Sequence, residues 1–243
     1  MIIRKVFIIK GHSKSDEENE VDTYYVNAYK DFFLSNAGGG YFNSEIEVLT
    51  EPASKDLNII LEKQKLAFGI LVFIGHGANQ ESNQIFKLNE TEIIKAGQFT
   101  LNCDKQIVIL ESCRVKSENI LTVDLEDKIP KFEKGGIFRM PLNTEQCREI
   151  YDSHIKRCEN GLMICFPCRV GEMAYNFIYS KAMIQNAMDW HLDSSRHCAI
   201  LPIDELTRLA WPETIIAAEG LFGVQQFPSS EGDMNFPIAV SKF

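Results

Sequence analysis

Ile70-Leu71-Val72-Phe73-Ile74-Gly75-His76-Gly77 and Gln106-Ile107-Val108-Ile109-Leu110-Glu111-Ser112-Cys113-Arg114 share one plan. Each is an apolar run that stops at a short turn holding one chemically capable side chain. A strand with one wet face alternates apolar and polar residues. A run that is apolar throughout fits a strand covered on both faces, as in a parallel sheet. In open sheets of that kind ligands bind beyond the carboxyl ends of the strands, where loops lift side chains over a rigid base. If these two strands are neighbours, His76 and Cys113 leave the sheet side by side.

Further out, the pattern repeats. Val6 to Ile9 reads as a first buried strand. Asp22 to about Leu34 reads as an amphipathic helix, with Tyr25, Val26, Tyr29, Phe32 and Phe33 near helical spacing, closed by Gly38-Gly39-Gly40. Glu45 to Leu49 is a second strand. Ser54 is expected to cap a helix reaching about Lys65. A short helix is expected near Thr91 to Ala96. After the second quoted segment come a helix from Thr144 to Cys158, a strand from Leu162 to Phe166, and a helix from Phe177 to about His191. Ile203 to Trp211 and the stretch around Thr214 to Glu219 read as two short helices, and Phe236 to Val240 as a final strand. This alternation predicts an α/β fold, a mostly parallel sheet flanked by helices on both faces. Between about 115 and 143 the rhythm is lost. That stretch holds Lys128, Pro130, Lys131, Lys134, Gly135, Gly136 and Arg139, and reads as a long polar loop joining two halves of one domain over 1–243. No internal repeat or low-complexity tract interrupts the chain.

Composition sets the boundaries. The 243 residues are 45% apolar and 24% charged, as in an ordinary globular protein. The net charge is −9 and no dense Lys/Arg cluster occurs, which argues against nucleic acid as a partner. No stretch approaches the length of a membrane span, so no membrane partner is expected. Met1 to Ile9 is interrupted by Arg4-Lys5 and reads as a strand, not a leader. The seven cysteines (Cys103, Cys113, Cys147, Cys158, Cys165, Cys168, Cys198) point to free thiols in a reducing, cytoplasmic setting. Cys165-Phe166-Pro167-Cys168 has the spacing of a metal knuckle. It lacks a second pair at similar spacing, and buried structural thiols are the favoured reading over metal. No cofactor is expected. Gly38-Gly39-Gly40 follows a helix instead of a strand, which argues against a phosphate loop.

Chemistry concentrates on the two turns. A free cysteine, with a pKa of about 8.5, is mostly thiol at neutral pH. A neighbouring imidazole can take its proton and later return it to a leaving amine. Glycine after the histidine lets backbone approach a substrate. The N–H groups of Gly77 and Cys113 are candidates for an oxyanion hole. His12 follows the first strand and is a minor candidate for substrate contact. His154, His191 and His197 read as structural.

Phe73-Ile74-Gly75-His76-Gly77 followed by Leu110-Glu111-Ser112-Cys113-Arg114 resembles the caspase-type cysteine peptidases, closest to bacterial caspase-like proteins. Arg148-Glu149-Ile150-Tyr151, Leu162 to Phe166, Gly171-Glu172-Met173-Ala174, Ile178 to Trp190, Gln226-Phe227-Pro228 and Phe236 to Val240 extend the resemblance over most of the chain. It implies one domain on a six-stranded sheet whose last strand is antiparallel, and a His76/Cys113 dyad acting through a thioester acyl-enzyme. It also implies protein substrates and a role in regulated cell death or defence. Two positions depart from the pattern. Ile74 stands where a small residue precedes Gly-His, and Val115 replaces the glycine after Cys-Arg; both are expected to narrow or reshape the site.

Glu111, two residues before Cys113, is expected on the same side of its strand. The resemblance places an aspartate there in metacaspases, which cut after Arg or Lys. A carboxylate would pair with a basic side chain and repel an acidic one, giving substrates with a basic residue before the scissile bond. Against this stands a structural glutamate paired with Arg114. The run Asp16-Glu17-Glu18 either adds to such a pocket or is a solvated loop. Self-cleavage at Lys128, Lys131, Lys134 or Arg139 would follow from the same preference. Calcium dependence, known among metacaspase relatives, has no convincing ligand spacing here. A homodimer is left open. The competing classes are a catalytically silent caspase-like scaffold or interaction module, and a flavodoxin-like regulator, for which the turn after Ile9 lacks phosphate-binding glycines.

Overall fold

Strands with long apolar runs fill the middle of the sheet. The computed structural model describes residues 2–80, 83–115, 142–175, 177–196, 199–232 and 234–243. Its main sheet has six strands: β1 (Arg4–Lys10), β2 (Ile46–Thr50), β3 (Phe68–Ile74), β7 (Lys105–Glu111), β8 (Gly161–Phe166) and β10 (Ser229–Glu231). Their spatial order is β10-β8-β7-β3-β1-β2. All neighbours are parallel except β10, which runs antiparallel to β8. Five α-helices lie among the described residues: α1 (Asp16–Leu34), α2 (Ser54–Glu62), α3 (Thr144–Arg157), α4 (Ile178–Leu192) and α5 (Ile203–Phe222).

Side-chain alternation splits each strand between two cores. Val6, Ile8, Ile70, Val72, Ile107 and Ile109 face one cluster with α1, α3, α4 and α5. Phe7, Ile9, Leu71, Phe73, Val108 and Leu110 face the other. Among the described residues the second face has one helix, α2, through Leu57 and Leu61. The rest of it is covered by an antiparallel meander of β4 (Gly77–Gln80), β5 (Asn83–Lys87) and β6 (Ile93–Lys95), with Phe86 and Ile94 turned inward. Phe73, Phe86 and Phe99 pack ring to ring there, with centroids 4.9 to 5.4 Å apart.

Several elements differ from the sequence reading. Helix α1 begins at Asp16, because Ser15 caps it: its hydroxyl accepts from the Glu18 N–H at 3.2 Å. The run Asp16-Glu17-Glu18 is therefore the first turn of a helix and not a loop. Ser54 is the first residue of α2, after Ala53 at the cap position, and its hydroxyl is engaged by Glu92 at 2.9 Å. The helix expected near Thr91 to Ala96 is strand β6 and a short 3-10 turn. The two helices expected on either side of Pro212 are one helix, α5. The stretch expected as the last strand of the sheet, Phe236 to Val240, is β11 (Pro237–Val240), paired antiparallel with β9 (Ile200–Pro202) away from the main sheet. The antiparallel edge strand is β10 instead. The 115–143 loop lies outside the described residues from 116 to 141, as do His197 and Cys198. No helix among the described residues is long and apolar enough to cross a membrane.

Candidate functional site

Strands β3 and β7 are parallel neighbours, with Phe73 opposite Leu110 and Ile74 opposite Glu111. Two residues past that last pair stand His76 and Cys113, so the register brings the two turns out of the sheet at one level. Several backbone bonds hold the turns together. The Gly75 N–H donates to the Glu111 carbonyl at 3.3 Å and the Asn79 N–H to the Val115 carbonyl at 2.7 Å. The Gln84 side chain donates to the Cys113 carbonyl at 2.8 Å.

Glycine is needed at two places in the first turn. Gly75 has φ +146°, which L side chains rarely adopt. A Cβ on Gly77 would lie 2.6 Å from the Ser112 hydroxyl and 3.0 Å from the Cys113 carbonyl oxygen. Alternate amides of an antiparallel strand leave on the same edge. The Asn79 N–H points at the 113–115 segment, and the Gly77 N–H, two residues earlier, shares that direction.

The imidazole and the thiol each have other partners. His76 Nε2 lies 3.1 Å from Glu18 Oε2. The Cys113 thiol lies 3.4 Å from the Ala174 N–H and 3.6 Å from the Ala174 carbonyl, between the two backbone groups. No hydrogen bond joins the imidazole to the thiol among the described residues. Burial pushes the Cys113 thiol up, and the Glu111 charge adds to this; the Ala174 N–H and Lys14 pull the other way without cancelling it. The resting group is a thiol, which needs a base to become a nucleophile.

Glu111 is buried at 3% exposure, on the helical side of the sheet. Ser180 of α4 donates to its Oε2 at 2.5 Å, and Tyr29 of α1 lies 2.9 Å from the same hydroxyl. Its Oε1 has no hydrogen-bond partner among the described residues. Burial raises this carboxyl to about 7 against the Ser180 hydrogen bonds. The pairing with Arg114 is not formed. Arg114 turns away, lies 3.8 Å over the Phe166 ring, and donates to Ser229 at 3.2 Å. Its backbone is clamped to the loop after β8, N–H to Glu172 and carbonyl from Gly171, at 3.0 and 2.9 Å.

The two departures from the family pattern serve packing. Ile74 is fully buried in the helical-side core, and Val115 is buried with its carbonyl held by Asn79. His12 lies at the same end of the sheet, with Nδ1 3.4 Å from Glu51. His154 bonds the Asn235 carbonyl and His191 the Val240 carbonyl, and neither bonds a residue of the two turns. Cys165 and Cys168 are fully buried; Cys168 Sγ donates to the Glu172 carbonyl at 3.3 Å. No group of three or more metal-binding side chains occurs among the described residues.

Sequence reasoning missed three contributors. Glu18 was seen only as part of an acidic run; Ser15-x-x-Glu18 is a capping-box spacing that marks a helix start but says nothing of His76. Gln84 carries no sequence signal, and Ala174 enters the sequence reading only as the end of Gly171-Glu172-Met173-Ala174, with nothing that points to the thiol; both roles depend on where β5 and the loop after β8 pass over the turns.

No family model matches this sequence, and no curated protein matches it either. Solved structures do match. The crystal structure of caspase-1 from Spodoptera frugiperda aligns with a TM-score of 0.53 at 10% identity, over 95% of this chain and 86% of that one. The Drosophila initiator caspase Dronc aligns at 0.46 and 7% identity, over 97% and 81%, too low a score to add weight. Identity this low speaks to fold alone. Together with the six-strand order β10-β8-β7-β3-β1-β2 and the five helices, it shows that this chain has a caspase-like α/β fold.

Proposed function

We propose that this chain is a cysteine endopeptidase in which Cys113 is the nucleophile and His76 its base. The observation that carries the reading is the emergence of both side chains, in register, from neighbouring parallel strands that end together. The Cys113 proton moves to the imidazole, and the thiolate attacks the scissile carbonyl carbon. Collapse of the tetrahedral intermediate breaks the C–N bond, and the imidazolium proton goes to the leaving amine. Water then hydrolyses the thioester by the same route. The Gly77 and Cys113 N–H groups are the oxyanion donors in this reading, supported by the close approach of Gly77 to the Cys113 carbonyl. Cleavage after arginine or lysine follows from Glu111, whose unpartnered buried oxygen suits a guanidinium or ammonium. A place in regulated cell death or defence rests on the sequence resemblance.

The test is a panel of peptides differing only at the residue before the scissile bond, with wild type, Cys113→Ala and His76→Ala. Hydrolysis of basic peptides should fall at least 10³-fold in both variants, with circular dichroism unchanged. Full activity in either variant ends the dyad assignment; preference for aspartate ends the Glu111 assignment. One observation favours a second reading, an interaction module on this fold: the thiol is seated against Ala174 and the imidazole on Glu18. Labelling by an electrophilic peptide, located to Cys113 by mass spectrometry, argues for the enzyme; an unlabelled thiol argues for the module.

A further inference from the structure

Glu18 enters the site from an element that neither turn belongs to. It is the third residue of α1, and three contacts fix it. Its N–H is capped by the Ser15 hydroxyl at 3.2 Å. Its Oε2 accepts the Lys14 N–H at 2.6 Å and stands 3.1 Å from His76 Nε2. A carboxylate in the first turn of a helix stays ionised, because the helix end favours negative charge. Burial works against this, but the Lys14 and His76 hydrogen bonds outweigh it and keep the Glu18 carboxyl below the usual carboxylate range. Its exposure is intermediate, as is that of His76, so neither contact is an accident of a loose surface chain.

A carboxylate can only accept here. The proton of a neutral imidazole facing it therefore sits on Nε2, which leaves Nδ1 with the lone pair. We propose that Glu18 is the positioning residue of His76: it fixes the ring as the Nε2–H tautomer and orients Nδ1 as the base for the Cys113 thiol. The inference rests on the peptidase reading above for its catalytic consequence. When Nδ1 takes the thiol proton, the ring becomes a cation with both nitrogens protonated, and Glu18 stabilises that cation at Nε2. Asp22, one helical turn further along α1, is tied to Ser13 at 2.6 Å and does not hydrogen-bond the ring. The pairing makes α1 part of the site, although its sequence lies far from both turns.

The experiment has two independent readouts. The first is ¹⁵N NMR of the His76 ring near pH 8 in wild type, Glu18→Gln, Glu18→Ala and the control Glu17→Gln. Wild type and the control should show the Nε2–H tautomer, and Glu18→Ala a mixture of the two. The second is steady-state hydrolysis. In Glu18→Ala, kcat should fall about 10²-fold with KM within about twofold. Glu18→Gln keeps an acceptor oxygen for the Lys14 N–H and guards against a folding defect; it should retain the tautomer and lose most of kcat through the missing charge. A pure Nε2–H tautomer and full kcat in Glu18→Ala would overturn the proposal. If the wild type hydrolyses no peptide, the peptidase reading fails by itself, and the tautomer in Glu18→Ala alone then decides for or against Glu18.

Discussion

The Glu111 carboxyl is buried with one oxygen on Ser180 and the other without a hydrogen-bond partner among the described residues. Its folded-state pKa is raised from 4.5 to about 7, so the native protein holds this proton more tightly than the unfolded chain does. The stability it contributes is complete below about pH 4.5 and is lost as pH rises through about 7. Between about pH 5 and pH 8 that amounts to roughly 2–3 kcal/mol. Glu111→Gln, which cannot ionise, should therefore become more stable relative to wild type over that interval, read as urea midpoints at both pH values. A gap that stays constant would show that Glu111 does not titrate there. In the peptidase reading the same ionisation governs recognition. Turnover of an arginine peptide should rise with pH through about 7 in wild type, and Glu111→Gln should have weak turnover with that component gone.

At the scale of elements, α5 carries a local conflict. Pro212 lies in its middle, where it removes the hydrogen bond to the Arg208 carbonyl and crowds the preceding turn. A sequence reading breaks the helix there for this reason. The helix continues because Ile203, Leu206, Ala210, Thr214 and Ala218 bury one stripe across the proline, mainly against α4. Pro212 itself is exposed. Pro212→Ala should restore the bond and raise stability by about 1–3 kcal/mol, measured by chemical denaturation. A loss would show that the proline is needed to lay α5 along α4. The meander is a second case. Gln84 on β5 reaches the Cys113 carbonyl, and Gln84→Ala should loosen the Cys113 turn. Amide exchange at residues 112–115 should quicken, with the β1 and β3 amides unchanged; equal protection in both proteins would remove Gln84 from that role.

At the scale of the molecule, the chain's two halves meet side by side in one sheet, with the seam between β7 and β8. Strand β8 pairs β7, and Ser180 of the second half meets both Glu111 and Tyr29 of the first. Tyr151 donates to the Pro237 carbonyl at 2.7 Å within the second half, while Leu142 is tied to Lys242 at 2.8 Å. A cut between 116 and 141 therefore severs no pairing among the described residues. If the peptidase reading holds, wild type kept at micromolar concentration should cut itself after Lys128, Lys131, Lys134 or Arg139, and Cys113→Ala should stay intact, by intact mass. The two fragments should still elute as one species on size exclusion. Fragments that separate would contradict a β7–β8 seam strong enough to hold the halves together, and an uncut, fully active wild type would show that processing is not required.

By itself the sequence determined the central strands, the α/β class and the pair of turns. Runs such as Ile70 to Ile74 and Ile107 to Leu110 are apolar at every position, and that property is local: it can be read without knowing a neighbour. His76 and Cys113 were legible for the same reason, since each ends such a run. Only the tertiary structure decided the rest. Edge strand β10 is Ser229-Ser230-Glu231, three polar residues with no period to read, and it exists because β8 offers it an unpaired edge. Phe236 to Val240 has a strand's composition, but which strand it joins depends on where α5 delivers the chain. Glu18 and Glu111 are both glutamates in sequence. One is held ionised against His76 and the other is pushed toward neutrality under α4, because charge state follows burial and partners across the fold, which no local pattern contains.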